Sequence, residues 1–530
     1  MEKTPRVHDV LIVGSGPAGV AAAWPLVEAG HDVLMVDGGQ VPDQSIPRGD
    51  YESIRRDDPN QWQWMIGREF EALRNAGAVS PKFRAPTLAY VFREFVEANQ
   101  IAARGFVPIG SLAVGGLSNA WGCGVARFSP AEMSAFPFDE SELGPSYARV
   151  CRRIGISGAG SDDLTAYFGV DAWADPPVAL DDAHRELVHR YARKRVALTA
   201  AGFALGRARV AVLSQDREER KACSRSGFCL WGCAEGSLYS AQQDLRRLRG
   251  YSNFTHRPGF VVDRLDIRAG QVAGASTRAG DAVDATCVVL AAGTLATTRI
   301  AMRSLPSYRR APLLALPFAA FALWLPGRLG AGIASGPAFA QLAFALDADT
   351  RDAICGFTFS THGLPVSEFV RSVGWTKRSA ARLFPHLLSS VVVANCFFPA
   401  HLSANSVALD DDAVLRVEGA DAPGLPTLRT ETARRLRRAF RRLGAHMLPG
   451  SFRPGSTGAD AHYAGTLPMR AKPVIGETDR DGALAGLPGV HVADAAAFPS
   501  LPAKSHTLAM MACADRLGTR LAARLRGNRA

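Results

Sequence analysis

Three groups of residues in this sequence have the types and spacing to do chemistry. Near the start, Gly14-Ser15-Gly16-Pro17-Ala18-Gly19 follows the short β-type run Asp9–Val13, and an acid, Asp37, stands 23 residues after Gly14. Gly14 suits a tight turn, Gly16 lets backbone approach a pyrophosphate, and Gly19 lets a helix pack close to a sheet. The Asp37 carboxylate stands where it would accept hydrogen bonds from a ribose hydroxyl pair. Near the end come His462-Tyr463-Ala464-Gly465-Thr466 and Ser505-His506. A neutral imidazole can accept the hydroxyl proton of an alcohol while a redox cofactor takes the hydride. Between them, Cys223, Cys229 and Cys233 fall within eleven residues, and thiolates at such spacing can hold iron–sulfur or zinc.

The elements that must position these groups are legible around them. Asp9–Val13 reads as a strand, Val20 to about Ala29 as an Ala-rich helix, and Asp32–Val36 as a second strand. Together they form a whole βαβ dinucleotide unit, with the helix dipole facing the phosphates. The unit predicts an ADP moiety, of NAD or of FAD. A nicotinamide enzyme would complete its site within a compact Rossmann domain, whereas this chain places further nucleotide-type signals far downstream. Gly115-Gly116-Leu117-Ser118-Asn119-Ala120-Trp121-Gly122 is a glycine-dense loop that would let backbone approach a flat ring. Cys287–Leu290 reads as a strand ending in Ala291-Ala292-Gly293-Thr294, and Val490–Val492 as another ending at Asp494. A last helix is expected from about Leu508 to Leu525.

Composition sets the outer bounds. The chain has 530 residues, 47% hydrophobic and 21% charged, which implies two or three domain-sized units and excludes a largely disordered protein. The net charge of +11 comes with many more Arg than Lys. No basic groove interleaved with aromatics accompanies it, so no nucleic-acid partner is expected. The N-terminus enters a strand without the apolar stretch of an export signal. The longest apolar run, about Ala311 to Pro326, is interrupted by prolines and reads as a buried segment rather than a membrane span. A cytoplasmic location and reduced cysteines are therefore expected. A helix predicted over Thr430–Leu448 carries Arg434, Arg435, Arg437, Arg438, Arg441 and Arg442. It reads as a solvated face, with contact to anionic lipid at a membrane periphery, or to a phosphosugar, as the sharper alternative.

The pieces VGSGPAGVAAAWPLVEAGHDVLMVDGG, GGLSNAWGCG, VVLAAGTLATTRI, HYAGTLPM and VHVADAAAFPSLPAKSHT occur in an order that resembles the glucose–methanol–choline (GMC) oxidoreductases. The resemblance frames nearly the whole chain and is loose only over about 311–450. It implies an α/β (α+β overall) fold with a discontinuous Rossmann-like FAD-binding domain, 1–310 with 451–530, carrying insertions at about 41–100 and 150–220. It further implies a β-sheet-containing substrate-binding domain at 311–450. The cofactor is then FAD, non-covalent because the GGLSNAWGCG loop lacks a His for the usual link, with Cys123 the one residue that leaves a covalent bond open. Its expected contacts are Gly14, Gly16, Pro17, Ala18, Gly19, Asp37, Gly115, Gly116, Ser118, Asn119, Trp121, Gly122, Val262, Ala292, Gly293 and Asp494.

The implied reaction oxidises a CH–OH group, of a sugar or another alcohol, by hydride transfer to flavin N5. His462 matches the family's H-x-x-G-T motif and is its expected general base. The second catalytic residue is His506, with Ser505 the alternative, since Ser505 falls on the position where relatives carry Asn. Oxygen or another redox partner would take the electrons. Cys223, Cys229 and Cys233 resemble the ligands of a 3Fe-4S cluster in the family's dehydrogenase branch. A structural thiol group is the favoured reading, because Ser226 stands where a fourth Cys is often found. His256, His362, His386, His401 and His446 lie outside the motifs and read as surface or packed residues. A flavin-containing lyase, an NAD(P)-dependent reductase and a non-redox scaffold remain as alternative functions.

Overall fold

The computed structural model describes residues 6–70, 72, 80–331, 336–364 and 387–527. The apolar run Val10–Val13, three of its four residues β-branched, is buried and lies at the centre of a five-stranded parallel sheet. Its neighbours are Val33–Asp37 and Phe254–Pro258 on one side, and Val288–Leu290 and Val490–Val492 on the other. Strands from the two ends of the chain therefore share one sheet. The helix after the first strand is Pro17–Glu28, begun by a proline whose missing N–H costs nothing there. It packs on the terminal helix Thr507–Gly527. Gly518 permits that approach, since a Cβ there would run into the Ala22 carbonyl oxygen.

The apolar run from Ala311 to Pro326 forms two strands belonging to different sheets. Arg310–Ala315 lies in a five-stranded sheet with Tyr463–Ala464, Asn405–Leu409, Leu415–Glu418 and Ile101–Arg104. Phe318–Trp324 lies in a seven-stranded antiparallel sheet with Val391–Phe397, Ile354–Ser360, Ala340–Leu346 and Phe203–Arg207. Both sheets recruit strands from outside 311–450, Ile101–Arg104 and Tyr463–Ala464 in the first and Phe203–Arg207 and Arg453–Pro454 in the second. Along Val391–Phe397 buried and half-buried residues alternate, so Val392, Ala394 and Cys396 enter a core with Leu436 and Phe440 while Val393, Asn395 and Phe397 face the other way. No helix among the described residues is long and apolar enough to cross a membrane.

The Arg-rich helix spans Leu425–Arg442 rather than Thr430–Leu448. It starts earlier because Pro426 is favourable in a first turn. It stops earlier because Gly444 takes φ 69° and closes the helix: Gly444 N donates to Arg441 O (3.0 Å) and Ala445 N to Phe440 O (2.9 Å). Arg435 pairs with Asp347 at 2.6 Å, while Arg434, Arg437, Arg438, Arg441 and Arg442 are exposed.

Candidate active site

A cavity of about 500 Å³ is lined by residues of the parallel sheet and of the two sheets that contain Arg310–Ala315 and Phe318–Trp324. One end is the glycine turn. Gly14 adopts φ +108°, and a Cβ on it would collide with the Ala291 carbonyl oxygen, so the turn is tight against the neighbouring strand. Gly16 is the N-cap of Pro17–Glu28, has no side-chain cap, and has nothing within 4 Å of where a Cβ would be. Uncapped amides thus face open cavity, the arrangement that holds a pyrophosphate. Gly116 lies over it, its Cβ position 3.2 Å from Gly16 Cα. Gly19 is buried behind, against Gly14, and does not line the cavity.

Asp37, buried, ends the second strand and lines the cavity. Its carboxylate accepts from the Ser15 hydroxyl, from Gly39 N at 2.9 Å and from His256 Nε2 at 3.0 Å. Ser15 Oγ in turn accepts from Gly115 N at 3.0 Å, which ties the first glycine turn to the second. His256, read from the sequence as a surface or packed residue, is half-buried with its side chain covered, and it orients Asp37. His362 is buried as well, His401 and His446 are exposed, and His386 lies outside the described residues.

The glycine-dense loop divides its labour. Pro17, Ala18, Gly116, Ser118, Trp121, Gly122, Val262, Ala292, Gly293 and Asp494 line the cavity; Gly115 and Asn119 do not. Asn119 holds the loop instead, donating to the Val114 and Gly116 carbonyls (both 2.9 Å) and accepting from Ser240 Oγ and Gln242 Nε2. Ser118 is similarly spent on Gly115 O and Ala241 N. Asp494 accepts from Gly293 N (2.9 Å), Thr297 Oγ1 (2.5 Å) and Ala496 N (3.0 Å). Burial pushes its carboxyl up to about 6 despite those bonds. It braces the two loops at the cavity wall.

At the far end His462 and His506 face each other, ring centroids 5.2 Å apart at 67°. His462 immediately precedes the strand Tyr463–Ala464, which is anchored to Arg310–Ala315. Its Nδ1 lies 3.2 Å from Oδ2 of Asp460, a buried carboxyl whose other oxygen has no partner. Burial raises the Asp460 carboxyl, an effect the His462 imidazole opposes. His506 precedes the terminal helix and accepts from Met510 N through its carbonyl. Burial, and then the neighbouring His462, press its imidazole down to about 3, so it stays neutral across the working pH range. Ser505 also lines the cavity, with its Oγ 2.6 Å from the Cβ position of Gly124. The buried Lys504 fastens this loop: it pairs with Glu132 at 2.8 Å, donates to the Tyr167 and Arg127 carbonyls, and stands 4.1 Å from the Tyr167 ring centroid.

The iron–sulfur ligand set does not assemble. Among the described residues no group of three His, Cys, Asp or Glu side chains could hold a metal ion. Burial pushes the thiols of Cys223 to about 11 and Cys229 to about 12. Cys229, in the turn Phe228–Leu230, lines the cavity, and both it and Cys223 pack against the main core. All three remain free cysteines. Asp460, Ser15 and Lys504 were also missed. Only Asp460 carried a local signal, its position two residues before His462.

Comparison with known proteins agrees with this layout. The family profile for "FAD binding domain" matches residues 9–44, and that for "GMC oxidoreductase" matches residues 428–514. A paromamine 6'-oxidase of Streptomyces fradiae is 27% identical over 273 residues, 49% of this chain and 42% of that protein. The chain thus matches about two-fifths of that relative's length. The crystal structure of pyridoxine 4-oxidase from Mesorbium loti superposes with a TM-score of 0.58 at 18% identity, over 97% of this chain and 99% of that one, which establishes a shared fold. The uncapped helix start, the room before Gly16 and the acid at Asp37 fit the FAD that the first profile describes. With one profile on the glycine turn and the other on the segment that carries His462 and His506, the chain belongs to the glucose–methanol–choline oxidoreductase family.

Proposed function

We propose that the protein is an FAD-dependent oxidoreductase that converts a CH–OH group to a carbonyl, with residues 1–310 and 451–530 serving the cofactor and 311–450 the substrate. The carrying observation is the pair His462 and His506, 5.2 Å apart, at the end of the cavity that begins at Gly14 and Gly16. When bound, FAD supplies a two-electron acceptor at that end. Gly14, Gly16 and the helix start would hold its phosphates, and Asp37 its ribose.

The chain's own residues account for the proton. Asp460 takes the Nδ1–H of His462, which leaves Nε2 as the lone pair that accepts the alcohol proton. His506, held neutral, supplies a hydrogen bond that fixes the hydroxyl without competing for a positive charge. Apolar walls keep water from the reacting carbon. The names of the two relatives make paromamine and pyridoxine the first alcohols to test.

The test is anaerobic flavin bleaching by stopped flow. His462→Ala should retain its flavin and lose about 10²–10⁴-fold in the rate of bleaching, the usual contribution of a positioned base. An unimpaired rate in that variant removes His462 from the reaction. Turnover without bleaching would instead mark a lyase.

A further inference from the structure

We infer that the protein docks on an anionic phospholipid bilayer through two helices that cover the seven-stranded sheet on the side away from the cavity. Asp182–Thr199 and Leu425–Arg442 share a core with Val392 and Cys396, whereas Val393, Asn395 and Phe397 of the same strand line the cavity. The helices lie side by side. Arg442 donates to the Ala197 carbonyl at 3.2 Å, Arg190 to that of Leu443 at 2.9 Å, and Lys194 to that of Arg442.

The positive charge of the chain is concentrated on this layer. The two helices, 18 residues each, carry twelve basic and three acidic side chains, nine of the eleven net positive charges. Arg434, Arg437, Arg438 and Arg441 follow the spacing i, i+3, i+4, i+7 and form one stripe, opposite the buried Leu436 and Phe440. All four are exposed, as is Arg193 on the neighbouring helix, and none of the five pairs with a carboxylate among the described residues. Other exposed arginines sit against acids: Arg6 on Asp32, Arg104 on Glu418, Arg268 on Asp284 and Arg416 on Asp410. Like charges one turn apart repel, and a helix that needed only solvation would interleave acids with them. An anionic surface laid against the stripe relieves that repulsion.

The chemistry of the face selects a bilayer over a macromolecule. A protein interface is anchored by aromatic or large apolar side chains, and Val196 is the one large apolar residue exposed on either helix. Single-stranded nucleic acid would be met by aromatics on which bases stack, and neither helix exposes Phe, Tyr or Trp. Guanidinium forks, by contrast, match lipid phosphates, and a polybasic face needs no pocket to hold a charged membrane.

The experiment is co-sedimentation of the flavin-loaded full chain with vesicles of phosphatidylcholine, alone or with about 30 mol% phosphatidylglycerol. Binding should require the anionic lipid and weaken at least tenfold between about 0.1 and 0.5 M NaCl. The triple reversal Arg434→Glu, Arg438→Glu, Arg441→Glu should lose at least tenfold in partition coefficient while keeping its flavin and its Tm, since the sheet separates this face from the cavity. Reversing Arg48, Lys472 and Arg526, exposed elsewhere on the surface, changes the net charge equally and should cost less than threefold. Equal binding to both vesicles, binding to neither, or equal losses in the two triple variants overturns the inference. Retention on immobilised polyglutamate without vesicle binding also overturns it, and gives the stripe to an acidic protein.

Discussion

Gly14 and Gly16 stand two residues apart and should fail in opposite ways when a side chain is added. Gly14 combines φ +108° with a Cβ position that collides with the Ala291 carbonyl. The left-handed backbone costs an L-residue about 1–2 kcal/mol, and forcing atoms into a packed site costs about 1–3 kcal/mol more. Gly14→Ala should therefore destabilise the flavin-free protein by about 2–5 kcal/mol. For a chain this long the unfolding entropy makes 1 kcal/mol worth about 1 °C, so Tm falls by about 2–5 °C. Gly16 has extended backbone, φ −68° and ψ −178°, and open space around its Cβ position. Gly16→Val should leave the flavin-free Tm within about 0.5 °C, because no protein atom lies within 4 Å of its Cβ position. The same isopropyl group occupies the space where a pyrophosphate would approach the helix start, so the variant should lose flavin. A 100-fold loss in affinity is about 2.7 kcal/mol, and the holoenzyme forfeits that much ligand stabilisation. The assay is scanning fluorimetry on flavin-stripped protein, paired with the ratio of flavin to protein absorbance after purification. A Gly16→Val protein carrying a full complement of flavin would refute the placement of the phosphates. A flavin-free Tm as low as that of Gly14→Ala would refute the geometry itself.

Two further outcomes follow from buried charge. His506 titrates near 3 in the folded protein against about 6.5 unfolded, so the folded state binds fewer protons between those values and stability is lost as pH falls through them. The loss amounts to about 3 kcal/mol between pH 6.5 and 4, and His506→Asn should lose about 3 °C less Tm than the wild type over that interval. Equal losses in the two proteins would mean that His506 is protonated in the fold. Lys504→Met leaves Glu132 buried without its partner and should cost about 3–5 kcal/mol. Adding Glu132→Leu should recover most of that Tm, and failure to recover would show that Lys504 acts through packing rather than charge.

The sequence makes the phosphate end legible because its determinants are local. The βαβ unit lies within residues 10–37, and each glycine there has a steric reason that can be read from the neighbouring residues. The histidine pair is half legible. His462 and His506 lie in recognisable motifs and Asp460 stands two residues from His462, but the contacts that fasten the His506 loop and orient Asp37 are read only in three dimensions. Lys504 reaches Glu132 across 372 positions, and His256 reaches Asp37 across 219. The cysteine run shows a related limit: its spacing suits a cluster although the sequence favours structural thiols, and only the fold shows that among the described residues no three such side chains could hold a metal ion.

The substrate wall was hidden by periodicity. A strand near 389–398 is evident from composition, but alternation leaves open which set of residues faces the core and which the site. The register decides it: Phe397 opposite Phe318, and Asn395 opposite Ala320 and Phe357, place the phenylalanines towards His462. A one-residue slip would turn Val392, Ala394 and Cys396 to the cavity and remove every aromatic contact to the base. The cofactor end and the base do not depend on that register, since the glycine turn lies in one sheet and Tyr463 is anchored in another. Substrate preference can thus change on the seven-stranded sheet while the redox machinery is left in place. The chemistry of the family and the identity of its alcohol are consequently written in different sheets, and only the first is written in short motifs.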